Sequence, residues 1–419
     1  MRYVDTGNGK MPLISLIAIL SISLTVNLPG LAISPIMDKL DQVFHHVTEL
    51  ETQLLTVLPN LVTIPFILCA GKICTQKNQI KVLAVGLLIY IGAGVLYFFA
   101  DSMIQLILLS CLLGVGCGLV IPLAASLISQ YFTGGERTRQ LGMKSSLSNF
   151  SVIFATLFVG WMASISWHMA FIVYLVPLIP LCLLPFMTDG YISRHRTVDA
   201  APAPEAAKPE AVKPVNVGSR SRATLTLLLG AMAIYFLATY GTEVISYYLP
   251  YTMNHYKLST TDVGVATAMY FLGATLSGYL LPRIIRLLGS ATMQIAIATC
   301  VAGLFMTGFL HMYWSYILGV LVIGLGYGII QPVVYDKTSQ IAPSAAKSTA
   351  YFSYLLTCNY VAISAVPFII SGTKHLFDAQ GDWSFSFVFN GFVLVAVLLV
   401  AIWKRNSFVV KVGAPLPKE

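Results

Sequence analysis

The stretch GVGCGLVIP, residues 114–122, recurs in outline as GLGYGIIQP at residues 324–332. The three glycines and the proline keep their places, and the register continues, with Ser129 and Gln130 matched by Ser339 and Gln340. Such an internal echo predicts two related halves. Both copies lie inside long apolar runs, where Gly114xxxGly118 and Gly324xxxGly328 present small surfaces that let neighbouring helices approach closely in lipid. Helix packing is the reading of these glycines; a hinge at Pro122 and Pro332 is the alternative.

Composition says where those runs reside. Of the 419 residues, 57% are hydrophobic and 10% charged, against about a quarter charged in a soluble domain. A membrane-crossing helix needs about 20 mostly apolar residues. Twelve such stretches are present, at approximately 11–36, 51–71, 80–99, 103–131, 145–165, 168–188, 223–252, 261–285, 290–310, 312–335, 348–371 and 384–403. They are too long for barrel strands of about 10 residues, and helices satisfy their own backbone in hydrocarbon. The predicted fold is therefore an all-α membrane protein of twelve transmembrane helices.

Between the sixth and seventh stretches runs RHRTVDAAPAPEAAKPEAVKPVNVGSRSR, residues 194–222, rich in Ala, Pro, Lys and Glu. It cannot bury a core and reads as a linker. The organisation expected is an N-terminal six-helix bundle over 1–190, a cytoplasmic linker over 191–221 and a C-terminal six-helix bundle over 222–419. The glycine repeat then marks the fourth helix of each pseudo-symmetric bundle.

Lys and Arg concentrate in cytoplasmic loops. With both termini inside, all but Lys39, Lys257 and Lys374 of the 25 Lys and Arg fall on the cytoplasmic side. The net charge of +8 is a topology signal in this reading, and no nucleic-acid partner is expected. The apolar run after Lys10 reads as a retained helix and not a cleaved signal. Seven cysteines form no CxxC pair, so neither a disulfide framework nor a metal site is expected. No GxxxxGK[ST], GxSxG or HExxH occurs, so neither ATP-driven pumping by this chain nor an enzyme has support; no cofactor is expected.

The six-plus-six layout, the linker and several local stretches resemble the major facilitator superfamily of secondary transporters, over essentially the whole chain. The nearest resemblance is to its drug/proton antiporter branch. AGKICTQKNQIKVL (70–83) stands where the superfamily carries its loop motif between helices two and three: Gly71, Lys77 and Lys81 fit, while Thr75 and Gln76 replace the motif's Asp and Arg. GERTRQLGM (135–143) resembles the loop into helix five. In ATLFVGWMASISWHMAF (155–171), Trp167 and Phe171 match the antiporters, but Ala155, Thr156, Val159 and Gly160 stand at their Gly-Pro-x-x-Gly-Gly pattern. Ser110 stands where the branch has a membrane Arg on helix four.

The resemblance implies substrate binding near the midplane and alternating access by rocking one bundle against the other. It also implies a bacterial inner-membrane location and a monomer embedded in lipid, with a small-molecule substrate and protons as partners. Within that frame Glu243, in YFLATYGTEVISYYLPY (235–251), is the one acidic residue deep in a run. A carboxyl taken out of water favours its neutral form, so Glu243 is the candidate proton-coupling group; a carboxylate that merely sees water at the outer mouth is the alternative. Substrate-binding candidates are the amides Asn27, Asn60, Gln331 and Asn359 and the aromatics Tyr235, Tyr240 and Tyr327, each of which also fits ordinary helix packing. Asp336, Arg283, Lys77 and Arg137 are gating candidates at the cytoplasmic helix ends, with ordinary interface anchoring as the alternative.

The activity expected is proton-coupled efflux of a small apolar or aromatic compound; uptake of a nutrient or organic anion, by symport or facilitation, is the alternative. An anion carrier would need a Lys or Arg deep in a helix, and the predicted spans contain none, which favours the first.

Overall fold

The computed structural model describes residues 2–31, 49–74, 78–188, 190–192, 217–258, 260–342, 345–379 and 381–413. A small hairpin of β1 (Tyr3–Asp5) and β2 (Lys10–Pro12) comes first. Helices follow: α1 (Leu13–Ser21), α2 (Leu28–Leu31), α3 (Glu49–Ile73), α4 (Gln79–Leu96), α5 (Met103–Tyr131), α6 (Gly134–Ile165) and α7 (Leu178–Cys182) in the first half. The second half holds α8 (Val217–His255), α9 (Thr260–Tyr279), α10 (Leu281–Leu288), α11 (Thr292–Phe309), α12 (Tyr313–Ile341), α13 (Ala345–Leu376) and α14 (Phe385–Trp403). Among the described residues, eight helical stretches of at least 18 residues are apolar enough to cross a membrane, and Leu13–Thr25, Leu58–Ile73 and Trp167–Cys182 are shorter apolar helices.

The broken spans have local causes. In the first, the hydroxyls of Ser21 and Thr25 bond back to the carbonyls of Ala18 and Ile22 at 2.6 and 2.8 Å, and the helix tightens to a 3₁₀ segment over Ile22–Thr25. The sixth runs as 3₁₀ segments Trp167–Leu175 and Leu184–Met187 around α7, because Pro177, Pro180 and Pro185 remove amide donors. Two helices begin earlier than hydropathy predicts: α8 starts at Val217, inside the expected linker, and α6 starts at Gly134 where the apolar run begins at 145.

The repeated glycines perform the same task twice. A side chain at Gly114 would meet the backbone of Pro59 on α3, with a Cβ 2.6 Å from that carbonyl oxygen; Gly324, its counterpart, lies as tightly against the backbone of Tyr270 on α9. Gly116 abuts Gly86 and Tyr90 on α4, and Gly326 abuts Ala296 and Cys300 on α11. Each fourth span is therefore clamped between the second and third spans of its own half through small-residue contact, the only kind of surface that brings helix backbones this close in lipid.

The halves meet through α3 and α5 against α13, and α6 against α9 and α12. On this seam Ser129 hydrogen-bonds Ser339, its own counterpart in the repeat. Two equivalent residues touch only where a two-fold relation between the halves passes between them, so the pair marks the pseudo-dyad of the two bundles.

Candidate functional site

Among the described residues, the side-chain hydrogen bonds between the halves all fall toward the end of the bundle that carries the termini. Thr349 meets Gln79 Nε2 at 3.0 Å and Ser126 Oγ at 2.7 Å. Ser129 meets Ser339, Ser145 donates to Gln331 Oε1, and Ser146 donates to the Thr275 carbonyl at 2.8 Å. Outermost, Arg137 Nε donates to Asp336 Oδ1 at 2.8 Å, and Gln340 Nε2 holds the other carboxylate oxygen at 2.9 Å. The two side chains of this ion pair are 15% and 13% exposed, so their attraction is only partly screened.

Inward from that pair, α8 presents a polar stripe, with Tyr235, Thr239, Thr242 and Ser246 recurring at helical spacing on a membrane span. The Tyr235 hydroxyl lies 3.1 Å from that of Tyr335 and accepts from Gln331 Nε2 at 3.1 Å. One turn farther from the Arg137–Asp336 pair, Thr239 donates to Asn359 Oδ1 at 2.7 Å and lies 3.2 Å from the Tyr327 hydroxyl. The ring of Tyr327 stacks beside that of Tyr270, centroids 6.4 Å apart. A further turn along, half-buried Glu243 accepts from Ser246 Oγ at 3.0 Å, and Tyr247, Tyr270, Tyr327 and Tyr360 lie within electrostatic range of its carboxyl. Among the described residues no Lys or Arg forms an ion pair with it. The result is a ladder-like series of hydroxyls and amides running from the ion pair toward a carboxyl with no ion-pair partner among the described residues, flanked by aromatic rings.

This arrangement suits reversible binding and carries no nucleophile–base pair or metal cluster among the described residues. Against it stand the comparisons with known proteins. The model of the Major Facilitator Superfamily matches residues 13–367. The chain belongs to that superfamily.

Relatives of this superfamily transporter include the multidrug transporter protein MdtP of Bacillus subtilis, 27% identical over 129 residues. That alignment covers 30% of this chain and 24% of MdtP, so this chain spans about a quarter of that relative's length. The quinolone resistance protein NorA of Staphylococcus aureus is 21% identical over 290 residues, 68% of this chain and 70% of its own. Among solved structures, the proton:xylose symporter XylE superposes with a TM-score of 0.72 at 17% identity over 96% of both chains. The human organic anion transporter MFSD10 does so at 0.66 and 16% identity, over 91% of this chain and 98% of its own. At these identities the two structures speak to the fold alone.

Four sequence candidates of the transporter, Tyr235, Gln331, Tyr327 and Asn359, converge in the ladder, with Glu243 at its far end. Tyr240 is buried instead against Ala362, Val366 and Ile370 of α13 in an apolar cluster. Asn27 is half-buried at the break before α2, and Asn60, half-buried on α3, follows Pro59 at the Gly114 contact. Of the gating candidates, Arg137 and Asp336 pair with each other, Arg283 is exposed on α10, and Lys77 lies outside the described residues. Ser110 is buried and hydrogen-bonds the Tyr97 hydroxyl at 2.7 Å.

One expectation is overturned. The predicted spans contain no deep cation, yet Lys144 is 1% exposed. It lies well inside α6, and its Nζ sits 4.5 Å above the ring of Tyr335 from the other half. The helix begins eleven residues upstream of the apolar run, in GGERTRQLGMK (134–144), whose charged and polar residues hydropathy does not count, and Tyr335 of the opposite half lies over its last residue. Thr239 was equally silent in the sequence, since a single Thr in an apolar run has no signal of its own.

Proposed function

We propose that the protein is a proton-coupled exporter of a small organic solute with an aromatic or apolar body, working by alternating access in a bacterial inner membrane with both termini in the cytoplasm. Glu243 is the coupling carboxyl in this reading. The observation that carries it is that carboxyl, half-buried in a membrane helix, surrounded by tyrosines and without a counter-ion among the described residues. An uncompensated carboxylate in low dielectric is costly, so its charge is held only while one side of the protein admits water or a cation. Protonation from one side and release to the other then follow the opening and closing of the seam. The Arg137–Asp336 pair acts as the gate that closes the cytoplasmic end, and the Tyr235, Gln331, Tyr327 and Asn359 ladder offers the solute hydroxyls, amides and ring faces. Relatives named for multidrug transport and quinolone resistance support export over uptake.

The test is transport by the full chain in proteoliposomes with an imposed proton gradient, using ethidium and a fluoroquinolone as probes. Glu243→Gln should abolish proton-driven accumulation while gradient-free exchange of the probe continues. Full proton-driven accumulation by that variant removes Glu243 from the coupling role.

A further inference from the structure

Two lysines are buried in the bundle, and their surroundings differ. Lys337 is 2% exposed, lies over the ring of Phe408 and donates to the Lys411 carbonyl at 2.7 Å, all within its own half. Its charge is met by a backbone acceptor of the chain segment that follows α14. Lys144 has no such acceptor. Among the described residues it forms no ion pair and no side-chain hydrogen bond, and the face of Tyr335 is its one recorded polar contact. Burying an ammonium is costly unless it is paired, and a single cation–π contact offsets only part of that cost. Lys144 is thus left without an anionic partner among the described residues.

The neighbours of Lys144 fit the same ligand. Ser145 donates to Gln331 across the seam. Asn149, one turn along α6 from Ser145, is 4% exposed, and its Nδ2 has no hydrogen-bond partner. A buried amide donor left unsatisfied bears the full cost of its desolvation, which makes Asn149 a second group open to an acceptor. The nearby carboxylate of Asp336 is already taken by Arg137 and Gln340.

Tyr335 and Gln331 belong to the second half, Lys144, Ser145 and Asn149 to the first. When the halves part at this end, the ring leaves the ammonium and the Ser145–Gln331 bond breaks. We propose that Lys144 is then the anion-recognition group of the transport site, taking the carboxylate of an aromatic organic acid, with Asn149 as an additional donor and the acid's ring bedded against the tyrosines of α8 and α12. In the sealed state Tyr335 stands in for that aromatic ligand and keeps the cation from facing hydrocarbon bare. The inference rests on the alternating-access reading above and specifies its substrate class.

The experiment is equilibrium binding to the purified full chain in detergent, with benzoate, salicylate and 2-naphthoate each compared with its neutral amide. A charge-assisted contact predicts that the carboxylates bind about tenfold or more tightly than the amides. Lys144→Gln should erase that difference while keeping the amide affinity, and Lys144→Arg should preserve it; size exclusion and thermal unfolding check that each variant is folded. If Lys144→Gln does not fold, Lys144→Met and the wild-type carboxylate-to-amide ratio decide the matter. A wild type that does not prefer carboxylates, or a folded Lys144→Gln or Lys144→Met that still does, overturns the proposal. Binding at equilibrium needs no proton gradient, so failure of proton coupling leaves this result standing, and the reverse also holds.

Discussion

Within each half the fourth span packs through glycine; between the halves hydroxyls, amides and an ion pair join two glycine contacts, Gly71 with Ser353 and Gly142 with Gly278. The contrast is sharpest on α5 and α12. One stretch of each, Gly114 to Gly118 and Gly324 to Gly328, is fitted against backbone of its own half, while Ser126, Ser129 and Ser339 farther along touch the opposite half. A backbone fitted against glycine has no alternative partner in lipid, so those contacts are kept. Hydrogen bonds across the seam are exchangeable with water at a net cost of about 1 kcal/mol each. The seam is thus the more exchangeable of the two kinds of contact, with Gly142 against Gly278 as one close backbone approach inside it.

The contrast can be broken most severely from the rigid side. Gly324→Leu drives a side chain into the backbone of Tyr270, which cannot yield, and should cost about 3 kcal/mol or more. The expected result is loss of monodisperse protein on size exclusion and a sharp fall in the thermal midpoint. On the seam the effect should be conformational and smaller. Arg137→Ala removes a part-buried ion pair worth about 1–2 kcal/mol and should shift the balance between open and sealed forms toward open by about tenfold. The rate of thiol labelling at Ser129→Cys, in a cysteine-free background, reads that shift. Exchanging the charges, Arg137→Asp with Asp336→Arg, should restore the slow rate, and a swap that leaves labelling fast argues against the pair as a gate. Smallest is Thr349→Val, which deletes the bonds to Gln79 and Ser126. It should raise the same labelling rate by a few fold, about 1 kcal/mol or less, with the thermal midpoint unchanged. A large drop in that midpoint would mean that the seam also holds the halves folded.

What the sequence revealed followed from periodicity and composition. Twelve apolar runs and the glycine repeat define the helical membrane fold, since each is a local pattern with one physical explanation. Tyr235, Gln331, Tyr327 and Asn359 stood out because polar atoms in apolar runs need partners. The partners themselves were hidden. Arg137 and Asp336 are 199 positions apart, and neither has a neighbour in sequence that points to the other. Lys144 was missed for a different reason: hydropathy registers burial by lipid, whereas this residue is buried by the other half of the protein. The helix that carries it starts in polar residues that a hydropathy window reads as loop.

The contact between Ser129 and Ser339 has a practical consequence. Because the symmetry axis passes between two copies of one residue, displacement of either body away from it lengthens that separation equally. Spectroscopic labels at these two sites form a ruler for the opening alone, whereas pairs set off the axis would mix opening with rotation.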